Sequence, residues 1–322
     1  MRVITPRRLH LGLIDPSGTF GRRFGSMGVA LEGGYELHVT TGDSLKIRAQ
    51  GEDYETIKRT VERMNGTFET GVGYSIEVVR SVPRHVGLGS TTQLSLAVAS
   101  AVAKLNNLEV STERLAEVLG RGRNGGAGIY TFIYGGFVLD GGSGRGMPPL
   151  IFREDFPEGW AFLLVTPETK PGLDEEEERP IMEEMEGRVD VAREISHRVL
   201  LGLLPALKER DIRGFGGHLS AIQRLVGKHF EAYQGGEFRE DVKVVLEFLR
   251  ANTYGCGQSS WGPTVYGLIQ RSEYPRLRTE IGDYLKEHGV RAGVELGLPR
   301  NSGAEVISEN TFLERLIEEM VR

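Results

Sequence analysis

Residues 83–93 read Pro-Arg-His-Val-Gly-Leu-Gly-Ser-Thr-Thr-Gln, and what lies on either side of them decides the fold. Before them, residues 74–80 (YSIEVVR) alternate as a half-buried strand does. After them, residues 91 to about 105 are apolar nearly all round, which marks a central, buried helix. A strand, a glycine loop and a buried helix put unpaired N–H groups and the positive end of a helix dipole at one place, where an anion is favoured. Gly87 and Gly89 allow close backbone approach and positive φ. Ser90 and Gln93 have the spacing of a capping box, with Ser90 as N-cap. The hydroxyls of Ser90, Thr91 and Thr92 add partners for phosphate oxygens or for a hydrated Mg²⁺. No lysine follows the glycines, so this is not a Walker A loop, and without a third glycine it is not a dinucleotide fingerprint. A plain capped helix after a glycine turn is the alternative.

Around this unit, residues 35–41 and 45–49 read as strands joined by a turn at Gly42-Asp43, and residues 54–65 carry helical spacing. A short helix is expected at about 112–120. The glycine- and proline-rich stretch 141–158 marks a domain boundary near 155, giving domains 1–155 and 156–322. Beyond it, WAFLLVT (160–166) reads as a buried strand. Helices at 180–206, 211–228 and 238–251, a strand at 263–270, a helix at 274–288 and strands near 290–295 and 304–308 follow. That order predicts an α+β sandwich with helices on one face.

The 322 residues carry a net charge of −6, which argues against a nucleic-acid grip. No apolar run reaches the ~20 residues of a membrane span, and the N-terminal MRVITPRRLHLG lacks a signal peptide's apolar core. The single cysteine, Cys256, suits a reducing compartment, so a cytoplasmic location is expected. The seven histidines show no metal-ligand spacing.

Two further stretches offer candidates. Gly255-Cys256-Gly257-Gln258-Ser259-Ser260-Trp261-Gly262 precedes a strand and is expected to close over the same ligand from the second domain, or else to be a bulged hairpin turn. Cys256 lacks an adjacent base and reads as a small turn residue rather than a nucleophile. Near the N-terminus, Arg8 and His10 share a strand face, Asp15 follows, and Arg22-Arg23 sit in a glycine-bounded loop suited to anions. Asp174 to Glu178 reads as the solvated start of a helix, and Asp140 as a strand end.

Together GLGSTTQ (87–93), GCGQSSWG (255–262), RLHLGLID (8–15), GRGRNGGAGIYTF (120–132), GGFVLDGG (135–142) and PRNSGAEV (299–306) resemble the galactokinase–homoserine kinase–mevalonate kinase (GHMP) superfamily. Within it they are closest to the β-ribofuranosylaminobenzene 5′-phosphate synthases of methanopterin biosynthesis. The likeness spans essentially the whole chain. Asn124-Gly125-Gly126 departs from the family's arginine-serine-glycine, and 168–178 (ETKPGLDEEEE) matches only loosely.

The resemblance implies a two-domain GHMP-kinase-like fold, with an N-terminal βαβ-containing domain and a C-terminal ferredoxin-like α/β sandwich. It implies a transferase that joins 4-aminobenzoate or 4-hydroxybenzoate to 5-phosphoribosyl 1-diphosphate, releasing carbon dioxide and diphosphate, with Mg²⁺ on the diphosphate and a homodimeric assembly. Gly87, Gly89, Ser90, Thr91, Thr92, Arg22, Arg23, Gly255, Gly257, Gln258, Ser259 and Ser260 are then expected on the phosphates, and Asp15, Arg8 and His10 at the reacting centre. No metal ligand is assigned. Tyr130, Phe132 and Tyr134, read as strand residues, either fill the core or stack on the benzoate.

The rival reading is an ATP-dependent small-molecule kinase of the same fold. Kinases of this superfamily generally place an aspartate in the glycine motif after the second helix, yet no Asp or Glu occurs between Glu117 and Asp140, so Asp15 or Asp140 would have to replace that base. A second rival, a non-catalytic phosphosugar or nucleotide sensor, would be expected to carry an effector domain.

Overall fold

The computed structural model describes residues 1–71 and 73–308, so the last part of the expected second domain lies outside the described residues. In chain order the first part contains β1 (Arg2–Ile4), β2 (Arg7–Asp15), β3 (Phe24–Leu31), β4 (Glu36–Gly42), β5 (Lys46–Arg48), α1 (Gly51–Phe68), β6 (Gly73–Arg80), α2 (Ser90–Leu105), α3 (Thr112–Val118), α4 (Ala127–Tyr134), β7 (Phe137–Asp140) and β8 (Leu150–Glu154). The second contains β9 (Trp160–Pro167), α5 (Glu175–Glu184), α6 (Val189–Arg198), α7 (Leu204–Lys208), α8 (Ile212–Gln234), α9 (Lys243–Asn252), β10 (Gly255–Gln258), β11 (Val265–Gln270), α10 (Tyr274–Glu287), β12 (Ala292–Gly297) and β13 (Glu305–Ile307).

Three sheets result, ordered β13-β1-β4-β6-β5, β2-β3-β7-β8 and β10-β11-β9-β12. The third is antiparallel throughout. Its strands follow a βαββαβ path, and their spatial order makes it the ferredoxin-like sandwich. The main core is continuous, running from Leu9 and Leu94 to Phe215 and Tyr266, and β13 returns to pair with β1. α2 is enclosed on all sides, with Leu94, Leu96, Ala97, Val98 and Val102 fully buried. Among the described residues no helix is long and apolar enough to cross a membrane.

Three local expectations are corrected. No hairpin forms across Gly42-Asp43: β6 inserts between β4 and β5, antiparallel to the first and parallel to the second. A parallel pair needs a crossover, which α1 supplies. Residues 127–134 form the helix α4 rather than a strand, burying Tyr130 and Phe132 and leaving Tyr134 exposed. The helix expected over 180–206 is broken. Gly187 passes so close to the backbone of Ser17 that a Cβ there would lie 2.1 Å from its nitrogen, so the chain leaves α5 and restarts as α6. A π-helical turn at Val199–Leu203 then leads into α7.

Candidate active site

The glycine loop differs from its sequence reading in one respect. α2 begins at Ser90, and its N-cap is Gly89 at φ 74, with no side-chain cap. Because glycine adopts the left-handed conformation without strain, the helix starts one residue early and the Ser90–Gln93 capping box does not form. Gln93 instead donates from Nε2 to Gly128 O at 2.8 Å, tying α2 to α4. The N–H groups of Ser90, Thr91 and Thr92 have no backbone partner, and the Ser90 hydroxyl makes no hydrogen bond to a described residue. Arg84 steadies the loop, donating to Thr91 Oγ1 at 3.0 Å while pairing with buried Asp53 at 2.6 Å.

The downstream cluster is a hairpin, β10 and β11, whose turn docks onto the glycine loop. Ser259, fully buried, donates to Gly87 O at 2.7 Å and accepts from the His10 N–H at 2.9 Å. A Cβ on Gly87 would sit 2.1 Å from Ser259 O, and one on Gly262 would sit 2.1 Å from the Val86 carbonyl carbon. The two loops therefore face one cleft. Gly255 and Gly257 act one layer back, where a side chain would strike Gly216 of α8 and the Gln223 side chain. Gln258 and Ser260 reach the cleft wall, although both Gln258 amide atoms bond within the protein. Cys256 is buried against the third sheet's core, and burial raises its thiol pKa.

The cleft holds a cavity of about 890 Å³ whose floor is β2. Arg8, His10, Gly12 and Leu13 line it, the face being reset by a bulge between His10 and Gly12. Arg8 packs on the glycine loop: a Cβ on Gly89 would lie 3.1 Å from Arg8 Cβ and 3.4 Å from its Nε. Arg8 Nε and Nη1 are buried with no hydrogen-bond partner, and burial lowers the guanidinium to about 10 despite the nearby Glu178 carboxylate. Buried unpaired donors of this kind mark a place for an anion. Next along the strand, burial and then Arg8 hold the His10 imidazole well below its usual range, so it is neutral at pH 7.

Other arginines face the cleft from α1 (Arg59, Arg63) and from the α3–α4 loop (Arg121, Arg123). Arg59 and Arg63 do not stand out in the sequence, because arginines at helical spacing usually line a solvated face, whereas Arg121 and Arg123 lie in the motif 120–132 without a role being read from it. Arg23 is at the cavity, but its donors go to the carbonyls of Pro16, Glu183 and Met185. Asp15 and Arg22 stand beside the cavity rather than in its wall. Asp15 accepts from the Ser17 N–H at 2.7 Å, and Arg22 donates to Gly142 O at 3.1 Å. Tyr130, Phe132 and Tyr134 do not line the cavity; its aromatic residues are Phe24, Phe230, Phe238 and Trp261.

Asp140 ends β7 and sits underneath the third glycine motif, 1% exposed. Its Oδ2 accepts from the Ser26 N–H at 3.0 Å, the Gly126 N–H at 2.8 Å and the Ser26 hydroxyl, and its Oδ1 accepts from the Gly142 N–H at 2.8 Å. Burial raises its pKa against the pull of these bonds. The carboxylate is a structural knot for Gly125 and Gly126. Among the described residues no three His, Cys, Asp or Glu side chains converge as a metal site would require.

Comparison with known proteins agrees with this architecture. Residues 55–136 match the GHMP kinases N terminal domain and residues 203–290 the GHMP kinases C terminal domain. The galactokinase of Lactococcus lactis superposes with a TM-score of 0.69 over 95% of each chain at 13% identity, a likeness of fold. The beta-ribofuranosylphenol 5′-phosphate synthase of Archaeoglobus fulgidus is 33% identical over 320 residues, covering 95% of this chain and 99% of that one. The synthase of the same name from Methanocaldococcus jannaschii is 30% identical, covering 95% and 100%. With that likeness running end to end on this fold, the chain belongs to the β-ribofuranosylphenol 5′-phosphate synthase family of the GHMP superfamily.

Proposed function

We propose that the protein transfers the phosphoribosyl group of 5-phosphoribosyl 1-diphosphate to a 4-substituted benzoate, releasing carbon dioxide and diphosphate on the route to methanopterin. The relatives' name carries phenol where the sequence resemblance carried aminobenzene, and this favours 4-hydroxybenzoate as acceptor. The observation that carries the reading against a kinase is the state of Asp140. The third motif itself carries no Asp or Glu, and Asp140, which sits underneath it, is buried and spent on four hydrogen bonds. A kinase of this fold needs its acceptor hydroxyl positioned and often deprotonated. The transfer does not. The C1–oxygen bond breaks and diphosphate leaves with the electron pair. The ring carbon bearing the carboxylate bonds to C1, and the ring–carboxylate bond then breaks, its electrons restoring aromaticity as carbon dioxide departs. No proton has to be taken by the protein.

The α2 N-terminus and Arg8 are suited to the leaving diphosphate, since both offer unpaired donors to a charge that grows as the bond breaks. Mg²⁺ would arrive on the diphosphate, because it keeps much of its water and needs few protein oxygens. The partnerless Ser90 hydroxyl is the oxygen that fits it. Such an ion supplies charge neutralisation at the leaving group. Asp15 and Arg22 flank the turn 17–21, exposed at 19–21, and stand next to the donor's side of the cavity rather than in its wall. The test is incubation with 5-phosphoribosyl 1-diphosphate, Mg²⁺ and carboxyl-labelled 4-hydroxybenzoate or 4-aminobenzoate, without ATP. Donor-dependent labelled carbon dioxide is the expected result. Consumption of ATP with an alcohol acceptor and no release from either benzoate would return the kinase reading.

A further inference from the structure

The cavity is lined mostly by arginines, loop backbone and acidic side chains, Glu176, Glu178 and Glu183 of α5 among them, but apolar side chains gather at one corner. There Leu13, Phe24 and Met182 form a small cluster of their own, with Phe230 and Trp261 packed against it. Resting on the transferase reading, we propose that this corner seats the aromatic ring of the acceptor, with Phe24, Phe230 and Trp261 as its walls and β2 at Gly12 as its floor.

The walls are set in place without a ligand. Phe230 and Trp261 meet edge to face, ring centroids 4.7 Å apart at 82°. Phe24 holds φ 71, a conformation that a bulky residue adopts only under strain, and the Arg23 guanidinium lies 4.9 Å from its ring centroid. Ser260, just before Trp261, is also left-handed at φ 56, and Arg239 holds the Trp261 carbonyl at 3.0 Å. Strain of this kind persists where surrounding structure enforces it, here on both sides of one corner. The floor is shaped for a steric reason. Gly12 has φ 121, and a Cβ would lie 2.9 Å from Val226 Cγ2 and 3.3 Å from Gln223 Nε2, so β2 contributes no side chain there and those two side chains of α8 pack against it.

The order of residues along β2 fits the two substrates. Arg8, against the phosphate loop, lies roughly 15 Å of strand from Leu13, and neutral His10 falls between them. An acceptor ring in the corner directs its carboxylate carbon back along the strand toward the donor. There it meets an uncharged imidazole, whereas a cation would hold the carboxylate in place and oppose loss of carbon dioxide.

Tryptophan emission tests this apart from turnover. The chain has two tryptophans, and Trp160 is buried in the core, so the difference between the wild type and Trp261→Phe isolates Trp261. We expect 4-hydroxybenzoate to change wild-type emission saturably and the change to vanish in Trp261→Phe. We also expect Phe230→Leu to raise the acceptor KM about tenfold while the donor KM stays within about twofold. The proposal is overturned if emission does not respond and a folded Phe230→Leu enzyme releases carbon dioxide with an unchanged acceptor KM. A saturable Trp261 response in a protein that releases no carbon dioxide keeps the aromatic seat and discards the transferase reading.

Discussion

Replacing Arg8 by methionine is expected to stabilise the unliganded protein and to weaken its hold on the donor. Burial lowers the Arg8 guanidinium to about 10. Each tenfold change in proton affinity is worth about 1.4 kcal/mol, so carrying this charge costs the free fold about 3 kcal/mol. The sign follows from linkage: below pH 10 both the folded and the unfolded chain carry the charge, so the full cost is present at pH 7 and is relieved only above about pH 10. Methionine keeps most of the apolar stem that packs on Gly89. In the complex, the same guanidinium would give charge-assisted hydrogen bonds worth about 1.5–3 kcal/mol, or roughly ten- to hundredfold in affinity. Urea unfolding at pH 7, with and without inorganic diphosphate and Mg²⁺, measures both effects. At a hundred times its Kd, diphosphate should add about 2.7 kcal/mol to the wild type, and it should add far less to a variant that starts higher. An Arg8→Met protein that is less stable than wild type when free, and is stabilised by diphosphate just as fully, would refute the reasoning.

Gly89→Val puts a branched residue at φ 74 and crowds Arg8, so a loss of about 1–3 kcal/mol with at least tenfold weaker diphosphate binding is expected; a folded variant with unchanged affinity in calorimetry rules out the loop's role. Ser259→Ala leaves the buried His10 N–H and Gly87 carbonyl without their shared partner and should cost about 1–3 kcal/mol in chemical denaturation. Burial lowers His229 to about 4, so the folded state resists protonation: its contribution is complete above about pH 6.5 and is lost as pH falls toward 4. His229→Asn, whose Oδ1 can still accept from the Arg188 N–H, should flatten the fall in stability across that window, by on the order of 3 kcal/mol; an unaltered pH profile assigns the acid sensitivity to other groups.

Within short windows, a good deal was legible from the residues alone. The periodicities of residues 74–80 and 91–105 gave a strand and a buried helix, and the acids at Asp174–Glu178 gave a helix start, where Asp174 and Glu177 form a capping box. The succession of elements after residue 155 gave the α+β layering. These are legible because backbone sterics, capping and one-sided burial act over a dozen residues or fewer. The same spacing rule misled at Ser90, where a glycine one position earlier offered the chain a cheaper start and Gln93 was drawn to α4. What the site contains was settled by long-range packing. Asp140 was fixed as a knot by Ser26, 114 residues away, and Ser259 was joined to Gly87 across 172 residues. The aromatic corner needed β2, β3, α5, α8 and the hairpin turn to meet at once. No local pattern encodes such meetings. They depend on Gly216 letting α8 meet the Tyr254–Gly255 backbone and on Gly12 and Gly257 leaving room for the Val226 and Gln223 side chains of α8, a packing constraint that exists only once the chain has closed on itself.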